Sequence, residues 1–172
     1  ICSTHGPVWQ KHLSDAIAVY DRLSSGKTEK GLVICYGSMY GNTERMAEAL
    51  AEGAAEAGMQ KIVIHNLSVS ETSFVLADVF RYDTLAIGSP TYNGGVFPLV
   101  EDFFSRLSER IVSNHKLGLF GGYTWSSQAV KKMMAYNEKM KMQLIDKTVE
   151  WKQGVSQDSL SRVKELGRLL GE

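Results

Sequence analysis

The 172-residue chain carries 19 Lys plus Arg against 19 Asp plus Glu, so its formal net charge is zero. That balance argues against a nucleic-acid or anionic-membrane binder, which normally shows a basic excess. Its 44% hydrophobic and 22% charged content is ordinary for a globular protein, and its length suffices for one well-cored domain with roughly thirty residues to spare.

The chain opens on the apolar pair "IC" with no initiator Met, and we read it as a fragment cut from a longer protein. No stretch reaches the length of a membrane span, and "ICSTHGPVWQ" lacks the layout of a signal peptide. Leu13, Ile17 and Tyr20 then recur at helical spacing up to a Ser-Ser-Gly breaker. "SSGKTEKG" reads as a linker, which divides residues 1–30 from a domain at 31–172. Within that domain, strand-length apolar runs at 31–37, 61–67, 83–89 and 116–122, with a weaker one at 148–154, alternate with helical patterns. Those patterns lie at about 43–57, 71–79, 97–112, 127–139 and 158–170. Continuous apolar strands alternating with helices predict an α/β fold, with a parallel sheet covered on both faces. Five units predict a doubly wound sheet of order 2-1-3-4-5. Cys2 and Cys35 form no spacing motif and are expected to be unpaired thiols in a reducing cytoplasm.

In such a sheet, ligands sit beyond the carboxyl ends of the strands. The loops after strands one, three and four, "SMYGNT", "SPTYNGG" and "GGYTWSS", therefore belong to one surface. The first reads as a phosphate cradle built from Ser38, Met39, Tyr40, Gly41, Asn42 and Thr43. It offers hydroxyls, an amide and a tight turn into a helix whose N-terminus has spare N–H groups. It is neither a Walker loop nor G-x-G-x-x-G, and taken alone it is equally consistent with Asn42 or Thr43 capping the helix. The second loop contributes Pro90, Thr91, Tyr92, Asn93, Gly94 and Gly95, and the third Gly122, Tyr123 and Trp125. A phosphate site flanked by aromatics and backbone amides suits a flat ring system with a phosphate tail, such as FMN.

These motifs resemble the flavodoxin fold. Ordinary flavodoxins usually read S/T-x-T-G-N-T in the first loop, and here Tyr40 stands where the middle Thr would be. With that substitution the loop looks like the flavodoxin-like domain of flavodiiron proteins (A-type flavoproteins), as do "SPTYNGGVFP" and "GGYTWS". "STHGPVW" is similar to the segment in which those proteins end their metallo-β-lactamase-like domain, and the residue matching His5 is there an iron ligand. The resemblance implies an FMN-dependent electron-transfer domain with a flexible peptide within Asn93–Gly94–Gly95. It implies rubredoxin or an NADH-linked reductase as donor, and a diiron oxygen or nitric oxide reductase centre in a homo-oligomeric parent. His5 alone is expected to hold no metal, because the remaining ligands are missing. His12, His65 and His115 are expected at the surface or at strand ends. The Met residues of "QAVKKMMAYNEKMKM" are expected to form a core stripe.

Two other classes compete. An autonomous flavodoxin or FMN-dependent NAD(P)H:quinone reductase would reveal itself by chain acidity or quinone turnover, and this chain is neutral. A phospho-receiver module needs an acceptor Asp at a strand end, where this chain has Gly37-Ser38 and Gly88-Ser89.

Overall fold

The computed structural model of the protein describes residues 1–110, 112 and 114–172. In chain order it contains α1 (Leu13–Ser24), β1 (Glu29–Tyr36), α2 (Asn42–Glu56), β2 (Ile62–Asn66), α3 (Thr72–Arg81), β3 (Tyr82–Tyr92) and β4 (Gly95–Val96). These are followed by α4 (Pro98–Ser108), β5 (Lys116–Tyr123), α5 (Ala129–Met140), β6 (Gln143–Leu144), β7 (Val149–Lys152) and α6 (Gln157–Gly171).

The main sheet runs β2-β1-β3-β5, all parallel, with β6 and β7 sharing the next position beside β5. This is the expected 2-1-3-4-5 order with its fifth strand broken in two. β6 pairs with Lys116–Leu117, and β7 with Phe120–Tyr123. The sequence predicts one strand over 148–154, because a two-residue β6 leaves no alternating pattern to read. The predicted helix 97–112 ends at Ser108, and Ile111 within it lies outside the described residues.

The continuous apolar strands are buried because helices cover both faces. α2 and α6 close one face over Leu32, Ile34, Ala86 and Phe120; α3, α4 and α5 close the other over Val33, Cys35, Leu85, Ile87 and Leu119. Met133 and Met140 belong to the second layer, as helical spacing predicts; Met142 joins it from beyond the end of α5, whereas Met134 on the other side of the helix is exposed. α1 stands apart with no buried residue. Its Arg22 pairs with Glu29 at the start of β1, and Glu29 also pairs with Arg81 at 3.0 Å.

Candidate functional site

The loops beyond β1, β3 and β5 enclose a cavity of about 330 Å³. It lies within the range of roughly 300–1,000 Å³ typical of small-ligand clefts. Among the described residues, none that lines its wall carries a charged side chain.

From the first loop, Ser38, Met39, Tyr40, Asn42 and Thr43 line the wall. Gly41 does not. It is the N-cap of α2, with φ of 80°, a left-handed conformation that glycine adopts without steric penalty. Asn42 and Thr43 lie inside the helix and no side chain caps it, which overturns the capping alternative for this loop. Ser38 Oγ accepts the Gly41 N–H at 3.1 Å. The backbone N–H groups of Asn42 and Thr43 have no acceptor within the helix, and both residues line the cavity at the positive end of the helix dipole. The Tyr36 hydroxyl at the end of β1 donates to Glu44 in that turn at 2.8 Å, fixing strand and helix on either side of the loop. Burial, then this hydrogen bond to Glu44, pushes the Tyr36 phenol up to about 12.

From the second loop, Pro90, Thr91, Tyr92, Asn93 and Gly94 reach the wall. β3 runs on to Tyr92 and turns back into β4 with Tyr92 paired to Gly95. Asn93 (φ 46°) and Gly94 (φ 68°) form a two-residue hairpin turn. Positive φ at both central residues is the type I′ requirement, and Asn-Gly is its strongest sequence signal. The segment expected to hold a flexible peptide forms a tight hairpin turn, and Gly95 is a paired, buried strand residue away from the wall. Tyr92 is 44% exposed and meets Phe97 edge-on, with centroids 6.1 Å apart.

Gly122, Tyr123 and Trp125 line the third side together with Thr124 and Ser126. Trp125 is 89% exposed at the loop tip, but the loop beneath it is tethered. Gln153 N–H donates to the Tyr123 carbonyl at 2.6 Å, the Ser127 hydroxyl donates to Glu150, and the Gln128 and Ala129 N–H groups donate to Thr91 Oγ1, both at 3.2 Å.

Thr124, Ser126, Trp151 and Gln153 were not among the residues expected from the sequence. Trp151 is 4% exposed, and a Cβ at Gly122 would lie 2.8 Å from its ring atoms Cε2 and Cζ2. Gly122 thus admits the indole beneath the cavity floor. The signal was the Trp in "TVEWKQG", legible only once that strand is registered against β5.

Burial holds the Glu150 carboxyl above the ordinary carboxylate range. Between the ordinary and the raised value the folded chain binds more protons than the unfolded one, so stability falls as pH rises through that window. Gln at this position keeps an acceptor for Ser127 and cannot ionise. Urea midpoints of Glu150→Gln and the parent should therefore coincide below the window, with the variant the more stable above it. A variant less stable at neutral pH would contradict this.

The remaining candidates fall elsewhere. His5 is exposed, and among the described residues no group of three or more His, Cys, Asp or Glu is placed to hold a metal ion. His115 precedes β5 but is 5% exposed rather than at the surface, and its Nε2–H donates to the Val79 carbonyl at 2.7 Å. Cys35 is buried, and burial pushes its thiol far above its ordinary value. Among the described residues no helix is long and apolar enough to cross a membrane.

The chain as a whole is similar to several known proteins. The chain is 33% identical, over 98% of its length, to a nitric oxide reductase of Moorella thermoacetica, and covers 42% of that protein. It is 31% identical to the type A flavoprotein fprA of Rhodobacter capsulatus over its whole length and 41% of the relative. It thus spans less than half the length of these curated relatives. Among solved structures it superposes on the flavodiiron protein of Giardia intestinalis with a TM-score of 0.87 and 28% identity, covering 94% of this chain and 40% of that one. On a flavodoxin from the domain Archaea the TM-score is 0.72 at 22% identity, over 82% of this chain and 96% of that one, a likeness of fold. Residues 34–165 match the flavodoxin family, and with the sheet order and the three-loop cavity in place, the chain belongs to that family.

Proposed function

We propose that the chain binds FMN in the three-loop cavity and serves as an electron-transfer domain. The reading is carried by the open first turn of α2: a helix N-terminus with no side-chain cap meets a cavity walled by Ser38, Asn42 and Thr43. An anion fits there without a Lys or Arg, because oriented N–H groups and the helix dipole supply the attraction. Away from that end, Tyr92, Tyr123 and Trp125 offer faces for a flat ring, and the hairpin and third loop bring backbone polar groups to its edge. When bound, FMN supplies one- and two-electron transfer. The protein holds the phosphate, shields the ring faces and leaves one side open beside the exposed Trp125.

Similarity to a nitric oxide reductase and a flavodiiron protein supports a finer proposal. Electrons enter from rubredoxin or an NADH-linked reductase and leave for a diiron centre in a metallo-β-lactamase-like domain of the parent protein, where oxygen or nitric oxide is reduced.

The test is titration of flavin-stripped protein with FMN, followed by visible absorbance. One flavin per chain is expected, and no binding would remove the proposal. Thr43→Ala should weaken FMN by about 1–2 kcal/mol through loss of one hydroxyl donor. An unchanged dissociation constant would remove Thr43 from the cradle.

A further inference from the structure

The Thr91 hydroxyl carries more information than its place on the wall. Thr91 lies just past the parallel part of β3, paired antiparallel with Val96 of β4, and its Oγ1 accepts two backbone N–H groups, from Gln128 and Ala129 at the start of α5, each at 3.2 Å. A threonine hydroxyl has one proton and two lone pairs. Both lone pairs are committed to α5, and among the described residues the hydroxyl donates to no acceptor. Ser89, two residues earlier, is different: its Oγ accepts from Phe97 N–H and donates to the Pro90 carbonyl, so it is internally satisfied. Thr91 alone of the two lines the cavity.

From this we infer that Thr91 is a specificity-determining residue of fixed polarity: it caps α5 with its lone pairs and donates its one proton into the cavity. It therefore selects a ligand whose edge carries a hydrogen-bond acceptor, a ring carbonyl or an imine-type nitrogen, and disfavours one presenting an N–H there. The same atom links the ligand to the loop bearing Trp125, because the amides it caps end that loop. This inference rests on the flavin reading of the cavity and assigns Thr91 to the ring edge, away from the phosphate.

Two near-isosteric substitutions separate the cap from the donor. Asp and Asn both cap helices through a side-chain oxygen, but at neutral pH only Asn also carries donor hydrogens. Riboflavin, which has no phosphate and no charge, is the probe, with amide hydrogen exchange at Gln128 and Ala129 reporting the cap. The expected result is protected amides in both variants, with Thr91→Asn binding riboflavin about tenfold more tightly than Thr91→Asp, the scale of one hydrogen bond. Equal affinities with both caps intact would overturn the assignment. If faster exchange shows that either longer side chain has dislodged α5, the Thr91→Ser and Thr91→Val pair decides. Ser should keep binding and cap, and Val should weaken riboflavin and FMN by the same factor. A Val variant that weakens FMN alone, or neither, overturns the assignment. Parent protein that binds neither flavin removes the proposed function itself, an outcome distinct from any difference between variants.

Discussion

Phe120→Ala should lower the stability of the folded chain by about 4 kcal/mol, the usual scale for removing a fully buried phenyl ring. Phe120 is 0% exposed in the middle of β5 and is the register partner of Gly88 on β3. Its ring fills the space where Gly88 has no side chain; a Cβ built there would lie 2.2 Å from Phe120 Cε2. Removing the ring opens a void beside a residue with nothing to fill it, so the site cannot collapse. Since domains are stable by only about 5–15 kcal/mol, urea unfolding should show a much lower midpoint with an unchanged slope. A loss below about 1 kcal/mol would mean that this layer repacks freely.

Gly167→Ala should also destabilise, although alanine is the better helix former. α2 and α6 cross so closely that a Cβ at Gly167 would lie 2.1 Å from the Leu50 carbonyl oxygen and 3.0 Å from Ala54 N. A Cβ at Gly53 would likewise lie 2.0 Å from the Lys164 carbonyl oxygen. Backbone cannot yield as a flexible side chain can. Overpacking of about 3 kcal/mol therefore outweighs the roughly 1 kcal/mol gained in helix propensity. The net expectation is a loss of about 2 kcal/mol, measured by urea or thermal unfolding. Gly154→Ala, where a Cβ meets nothing within 4 Å, is the control and should change stability by no more than about 0.5 kcal/mol. If both variants matched the parent, the helices would be able to separate without penalty.

The sheet was legible because each central strand is an unbroken apolar run, as in "GLVICYG" and "DTLAIGS", and only burial on both faces explains such runs. What the sequence hid lies where tertiary pairing decides. β6 exists only as two residues against Lys116–Leu117, too short for any pattern. Trp151 reaches the cavity floor because β7 sets it opposite Gly122, a register no local window contains. The Asn93–Gly94 turn was available in the sequence. The glycines there are read as allowing positive φ or a peptide flip; Gly94 does take a positive φ, and with Asn93 it closes a hairpin. Likewise Asn42 and Thr43, good capping residues by type, lie within the helix because Gly41 takes the left-handed position before it. The loops were legible as a group because strand order alone brings them to one edge, but the second task of Thr91 depends on where α5 begins against β3, which no local pattern shows.

The most direct test of phosphate capture by the open end of α2 is calorimetric titration of flavin-stripped protein with FMN and with riboflavin under identical conditions. The two ligands share the ring and differ at the phosphate, so the ratio of dissociation constants isolates the cradle. A charge-assisted site with several N–H and hydroxyl donors should favour FMN by at least about a hundredfold, since hydrogen bonds to charged groups contribute roughly 1.5–3 kcal/mol each. Equal affinity for FMN and riboflavin would contradict the assignment of "SMYGNT" as the phosphate loop and leave the uncapped helix without a ligand.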